Sequence, residues 1–315
     1  MKILFIIDRI ELKYFEFNDL VTNFWLIKVF LKRGHHVDIA TIDNLFLKNS
    51  VALAHIKKSY LKDENIFYEK ADRTEIIENY DLVIFRPDPP VDLDYINATY
   101  IFDFVDENKV KVINSPKAIR NFNEKLHTVK FNNLMSENIV TNSAKDILEF
   151  LDTHKKLVLK PLNGCFGAGV MLLDFGDANT AAIINAMTDN GKRKIMVQKY
   201  IDGAQNGDKR VLFLGEKVLH YAVRKLPGEN DFKFNEHCDK NIVKAELTNQ
   251  ELQNFGHVAK ELTKLGLPLV GLDVIEGKII EINVTSPCYF IREINHHFGI
   301  KLEDEIVDYI EKFSY

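Results

Sequence analysis

Residues 270–287, VGLDVIEGKIIEINVTSP, constrain this chain more than any other stretch. Two apolar runs flank a Gly-containing turn, the pattern of a β-hairpin. Asp273, Glu281 and Asn283 are the polar exceptions. Charges in so apolar a setting are expected to be buried, and a buried carboxylate needs a partner. Two carboxylates and an amide make an all-oxygen set, which suits a hard cation such as Mg²⁺, with Mn²⁺ as an alternative. The bland reading is a solvated strand face. Parity separates the two, because side chains alternate with period two. A two-residue turn puts Asp273 and Glu281 on opposite faces. The metal reading therefore expects an odd turn of three residues near Glu276, Gly277 and Lys278.

With 315 residues, 46% of them hydrophobic, and a net charge of −5, there is room for one or two globular domains. The slight acidity and the lack of a dense Lys/Arg run argue against nucleic acid as a partner. Cys165, Cys238 and Cys288 lie far apart and are odd in number, which favours reduced thiols and a cytoplasmic location. The N-terminal apolar run is too short for a signal peptide, and no run has the length of a membrane span.

The first third alternates in the βα manner. Residues 3–7, 36–40, 81–86 and 109–113 read as strands. Residues 20–31 and 94–107 read as helices, and Ser115-Pro116 opens another with an N-cap and Pro at its first position. This implies an α/β domain with a parallel sheet. Residues 43–80 show one amphipathic segment and no sharp boundary. From about residue 123 the texture becomes α+β, with antiparallel strands 157–160 and 170–174, 209–213 and 217–224, then the 270–283 hairpin. Helices at about 143–153, 179–190, 248–265 and 301–313 separate them. The boundary is expected near residue 122, giving domains 1–122 and 123–315.

Residues 159–169, LKPLNGCFGAG, place three glycines within six positions. Backbone N–H groups of Gly164 and Gly167 can approach an anion closely there. Alone, the segment reads as a flexible hairpin loop. Lys160 sharpens it, because a cation ending a strand beside the loop can meet phosphate oxygens. Lys125 sits at the expected domain junction and by itself reads as a surface lysine. Gln198, Lys199, Tyr200 and Ile201 form a chain-reversing hinge whose backbone could meet an adenine edge. Asp208 and Arg210 head an apolar strand. Arg210 is either one half of a structural salt bridge or a cleft arginine facing a transferred phosphoryl group. His35-His36 and His296-His297 read as surface pairs without zinc-ligand spacing.

These elements, in this order, resemble the ATP-grasp superfamily and, within it, the bacterial glutathione synthetase family. The likeness runs nearly end to end. It includes FRPDPP at 85–90, ATYI at 98–101, NSP at 114–116, NEKL at 123–126, KPLNG at 160–164, GDKRV at 207–211, EINVTSP at 281–287 and IRE at 291–293. The resemblance implies an ATP-grasp domain whose antiparallel sheets enclose the nucleotide. ATP would be held by Lys125, Lys160, Gly164, Gly167, the 198–201 hinge and Asp208, with Mg²⁺ on Asp273, Glu281 and Asn283. It implies Arg210 at the acyl phosphate, and Arg86, Arg224, Ser286 and Arg292 as substrate contacts. It implies a homo-oligomer and a phosphate flap at about 161–169.

The family's lid loop carries an Arg-Gly-Asn-Leu-Ala-Ala-Gly-Gly-Arg motif. Here the corresponding stretch within the lid, about 226–243, reads KFNEHCDKN at 233–241. Lys233 and Asn235 remain as candidate substrate contacts, but the glycines are gone. The implied activity joins γ-glutamylcysteine to glycine through an acyl phosphate, releasing ADP and phosphate. A sister ligase with another peptide or amino-acid pair, or a non-catalytic ATP-binding protein on the same fold, are the alternatives. The non-catalytic reading expects erosion of the metal trio or of Arg210, and neither is eroded.

Overall fold

The computed structural model describes residues 1–13, 18–165, 167–228 and 242–314. In chain order the first part comprises β1 (Lys2–Ile6), α1 (Arg9–Lys13), α2 (Thr22–Lys32), β2 (His36–Ala40), β3 (Leu45–Lys48), β4 (Val51–Lys62), β5 (Asn65–Tyr68), β6 (Arg73–Ile76), β7 (Leu82–Phe85), α3 (Leu93–Ile101), β8 (Lys111–Ile113) and α4 (Pro116–Arg120). Strands β2, β1, β7 and β8 stand side by side and parallel. Their near-continuous Val, Ile, Leu and Phe content fits burial on both faces.

The undivided segment 43–80 proves to be four strands. The 12-residue β4 pairs antiparallel with β2, β3, β5 and β6. The sheet is therefore mixed, with a parallel core and an antiparallel extension. Helix α3 starts where Asp92 caps it, accepting from Tyr95 N at 2.9 Å. It ends at Ile101, with only a 3₁₀ turn beyond, short of the expected residue 107. Ser115 caps α4 as its sequence suggests.

The second part begins with β9 (Asn138–Thr141), α5 (Ala144–His154), β10 (Lys156–Pro161), β11 (Met171–Asp174), α6 (Thr180–Thr188) and β12 (Ile195–Lys199). These strands form an antiparallel sheet in the order β11-β10-β12-β9. Helices α5 and α6 cover it through Ile147, Leu151, Ile184 and Met187.

A five-stranded antiparallel sheet follows, from β13 (Asp208–Leu214), β14 (Lys217–Lys225), β15 (Ile242–Ala245), α7 (Asn249–Lys264), β16 (Leu269–Ile275), β17 (Lys278–Asn283), α8 (Ile291–Phe298) and α9 (Leu302–Ser314). Its order is β15-β14-β13-β16-β17. Val211, Phe213, Leu272 and Val274 share a core with Phe255 and Val258 of α7. On the other face, Leu212, Leu214 and Leu269 share a core with α8 and α9. At the start of β13 that second face turns polar. The functional side chains lie there.

The expected free surface pair His35-His36 is instead structural. His35 bridges the Met1 amino group at 3.0 Å and Glu311 of α9 at 2.8 Å, while His36 meets Asp38 at 3.1 Å. No helix among the described residues is long and apolar enough to cross a membrane.

Candidate nucleotide and metal site

The β16–β17 turn has two residues, not three. Glu276 and Gly277 both take positive φ, 47° and 73°, as the favoured two-residue hairpin turn requires. Ile275 pairs with Lys278 and Val274 with Ile279, yet Asp273 pairs with Glu281. Ile280 is the extra residue. It bulges from the ladder, and one bulged residue reverses the parity of everything beyond it. The expectation of an odd turn is thus overturned, while the shared face it was meant to secure is present. Asp273 and Glu281 stand opposite one another. Asn283 joins them, its Nδ2 donating to Asp273 Oδ2 at 3.0 Å and to Gly271 O at 3.3 Å.

Four cations converge on these groups. Arg210 donates to Asp273 from Nε at 2.8 Å and from Nη2 at 3.2 Å. Lys225 Nζ bridges Asp208 Oδ2 at 2.8 Å and Asp273 Oδ1 at 3.2 Å. Lys125 Nζ donates at 2.6 Å to both Glu281 Oε1 and the Gly164 carbonyl of the flap. Lys160 Nζ donates at 3.2 Å to the carbonyl of Ile280, the bulged residue.

Burial sets the electrostatics. It pulls the Lys160 ammonium down to about 8, against the opposing influence of Glu281. It pushes the Asp208 carboxyl up to about 7, where Lys225 only partly offsets it. Burial also acts upward on Asp273, but Arg210 and Lys225 outweigh it and hold that carboxyl below the usual range. Glu124 is raised by burial and by Glu281, although its Oε1 accepts from Val284 N at 2.7 Å and Thr285 N at 3.0 Å. Among the described residues five buried side-chain atoms have no partner, and two of them, Asp208 Oδ1 and Gln198 Nε2, belong to expected nucleotide contacts. A buried unpaired donor and acceptor cost free energy unless a ligand or water meets them.

At the hinge, Tyr200 N donates to Lys156 O at 3.0 Å and Lys199 N to Glu137 O at 2.9 Å. The Lys199 side chain reaches Glu137 at the surface, 3.3 Å away. Ile201 O accepts from Ala204 N, and Gly203 behind it packs so tightly on Glu276 that any Cβ would collide. The hinge of one sheet therefore touches the hairpin turn of the other. In the flap, Gly167 takes φ +68°, and a Cβ on Gly164 would come within 3.0 Å of Ala168 O.

The donors suit Mg²⁺ chemically. Among the described residues no three His, Cys, Asp or Glu side chains converge on a metal-holding point. A three-member oxygen set here would take the amide of Asn283 beside the two carboxylates, its Nδ2 being the donor to Asp273. Asp273 lies deepest at 6% exposed.

Other expected residues are placed differently. Arg86 is buried; two of its guanidinium nitrogens are held by protein acceptors, while its Nη1 has no partner among the described residues. It donates from Nε to Asn23 Oδ1 and from Nη2 to Pro287 O, both at 2.8 Å. The next carbonyl, Cys288 O, accepts from Arg210 Nη1 at 2.9 Å. Two guanidiniums from different sheets thus grip consecutive carbonyls of the loop after β17. Ser286 Oγ donates to Asp88. Arg224 pairs directly opposite Lys209, whose side chain runs under α7, so Arg224 faces away from the metal hairpin. Lys225, which the sequence reading passed over, takes the inward position. Its place is set by the β13–β14 ladder, where Lys225 lies opposite Asp208. Arg292 pairs with Asp19 at 3.2 Å and Glu293 at 2.6 Å. Lys233, Asn235 and Cys238, with most of the expected lid, lie outside the described residues.

Two family models match the chain. One, described as prokaryotic glutathione synthetase, N-terminal domain, matches residues 1–120; the other, the ATP-grasp domain of the same enzyme, matches residues 124–299. A protein named glutathione synthetase from Vibrio vulnificus is 35% identical over 283 residues, 89% of each chain. The Gloeobacter violaceus protein of that name is 35% identical over 321 residues, covering 100% of this chain and 98% of its own. Among solved structures, D-cycloserine synthetase DcsG superposes with a TM-score of 0.68 at 14% identity, covering 99% of this chain and 100% of its own. D-alanyl-alanine synthetase A from Vibrio cholerae gives 0.62 at 14%, covering 99% and 98%. At such identities these two speak for the fold alone, which is ATP-grasp. Matched over residues 1–120 and 124–299 by the two models, the chain belongs to the prokaryotic glutathione synthetase family.

Proposed function

We propose that this chain is an ATP-dependent carboxylate–amine ligase that forms glutathione from γ-glutamylcysteine and glycine. One observation carries the reading: the bulge at Ile280 brings Asp273, Glu281 and Asn283 onto one face, amid Lys125, Lys160 and Arg210. Family membership supplies the substrates.

A carboxylate is a poor electrophile, because its leaving group is bad and its charge repels nucleophiles. Attack of the dipeptide carboxylate on the γ-phosphorus of ATP gives an acyl phosphate and ADP. The glycine amine then attacks the acyl carbon, loses a proton, and phosphate departs to leave an amide. Mg²⁺ held by Asp273, Glu281 and Asn283 would offset phosphate charge. Lys125 and Lys160 meet phosphate oxygens beside the Gly164–Gly167 flap. Gln198 Nε2 and Asp208 Oδ1, buried without a partner among the described residues, would meet the nucleotide. Arg210 faces charge developing on the transferred phosphoryl. Flap and lid exclude water that would hydrolyse the acyl phosphate.

As part of the same reading, a domain boundary lies near residue 122, Ser286 contacts substrate, and Lys233 and Asn235 do so from the lid. The protein is a cytoplasmic homo-oligomer, which light scattering on the purified chain checks. The decisive experiment is phosphate release from MgATP with dipeptide and amine pairs. Turnover with γ-glutamylcysteine plus glycine is expected. Turnover only with another pair would move the assignment to a sister ligase, the reading favoured by the glycine-free stretch 233–241.

A further inference from the structure

Behind the polar start of β13, on the opposite face of the sheet, lies a second buried charge pair. Lys209 Nζ donates to both oxygens of Glu251, at 2.9 and 2.8 Å, and to Glu246 O at 2.9 Å. Glu251 also closes the capping box of α7, accepting from Thr248 N at 2.9 Å. Both residues are under a tenth exposed. Their strand-mates Val211 and Phe213 pack into an apolar core with Phe255 and Val258 of α7.

A charge pair in such a place calls for a reason other than stability, since an apolar pair of similar size usually serves the fold as well or better. Strand register supplies one. All seven residues of β13 are buried, and Leu212 and Leu214 are as apolar on one face as Val211 and Phe213 on the other. Apolar patterning then specifies register weakly, because a one-residue slip exchanges one apolar face for another. The β13–β14 ladder is moreover irregular between Val211 and Phe213. Lys209 breaks this degeneracy. With its ammonium clamped to α7, Asp208 and Arg210 must emerge on the face that holds Lys225 and Asp273.

We propose that Lys209 and Glu251 are positioning residues for the ligase reaction, fixing the register of β13 so that Asp208 and Arg210 face the nucleotide and metal site. The inference rests on the ligase reading for its kinetic readout. The test is the double variant Lys209→Met/Glu251→Gln, which removes both charges while Gln keeps the helix cap. The expected result is a melting temperature within a few degrees of wild type, kcat/KM for ATP reduced about tenfold or more, and substantial recovery in Lys209→Arg. Because the pair acts through Arg210, its removal should cost little further in an Arg210→Lys background. Wild-type kcat and KM in the folded double variant would overturn the proposal, as would a loss fully additive with Arg210→Lys. Should the double variant not fold, Glu251→Asp shortens the strut by one methylene with both charges kept. Lowered kcat at unchanged melting temperature then supports the proposal, and unchanged kcat overturns it. If the wild type shows no turnover with γ-glutamylcysteine and glycine, the ligase reading fails by itself. MgATP calorimetry on the same variants then still decides the positioning role, with weakened binding expected and wild-type binding overturning it.

Discussion

The two antiparallel sheets that carry the site treat their polar groups in opposite ways. The four-stranded sheet contributes Lys160, with one hydrogen bond of 3.2 Å, and Gln198, whose Nε2 has none. The five-stranded sheet contributes Arg210, Lys225, Asp273, Glu281 and Asn283, which bond to one another or to Lys125, while Asp208 keeps one buried oxygen without a partner among the described residues. One side is held in geometry before any ligand arrives. The other keeps hydrogen-bonding capacity that the proposed nucleotide would fill. Preorganised charge belongs where the transition state needs fixed dipoles, and spare hydrogen-bonding capacity belongs where recognition is to be rewarded.

Substitutions on the five-stranded side should therefore act on turnover, and those on the four-stranded side on nucleotide binding. Glu281→Gln is expected to have the largest effect. It removes a charged metal ligand and the Lys125 partner together, and several kcal/mol of lost charge stabilisation corresponds to about a thousandfold in kcat. Thermal unfolding should stay near wild type, and near-normal activity at saturating Mg²⁺ would break the comparison. Arg210→Met should lower kcat by about a hundred- to a thousandfold, with KM for ATP little changed. Steady-state kinetics that showed mainly a KM effect would move Arg210 to the binding side.

Lys160→Met should weaken ATP by roughly 10- to 100-fold, the worth of one charge-assisted hydrogen bond, and leave dipeptide affinity near wild type. Calorimetry on both ligands separates this from a folding defect. The smallest effect is a pH slope. Burial holds Lys160 at about 8 against 10.5 for an ordinary lysine. As pH rises through 8 its charge is lost and MgATP affinity should fall, by at most about tenfold per pH unit. The unfolded chain binds this proton more tightly between about pH 8 and 10.5, so the residue's contribution to unliganded stability rises across the same window. Lys160→Arg should flatten the affinity slope, and a slope that persists in that variant belongs to another group.

Legibility from sequence followed how local the determining physics was. The parallel strands, α7 and the hairpins were readable, because apolar runs are local signals. Residues 43–80 were not, because β4 serves four partner strands and has no single buried face to impose a period. Helix α8 was missed for a related reason. It is eight residues long and begins after Phe290 at φ +48°, with no side-chain cap to announce it. At the metal hairpin the parity argument was sound and its premise wrong. A bulge is invisible in EGKIIEIN, where Ile279 and Ile280 are the same residue type. Lys225 went unnoticed for the same kind of reason, since only the β13–β14 register shows that it stands opposite Asp208.

Loops usually tolerate cutting and grafting better than sheets do, but the loop after β17 carries a different consequence. Pro287 O and Cys288 O are adjacent, and the arginines that hold them come from the residue after β7 and from β13, more than a hundred residues apart in sequence. Producing the chain as two separate fragments divided near residue 122 would leave buried Arg86 with Asn23 but without Pro287 O, one of its two acceptors. Neither fragment should then melt as a cooperative unit alone. Mixed, they should recover a single calorimetric transition, and the intact chain should unfold in one step.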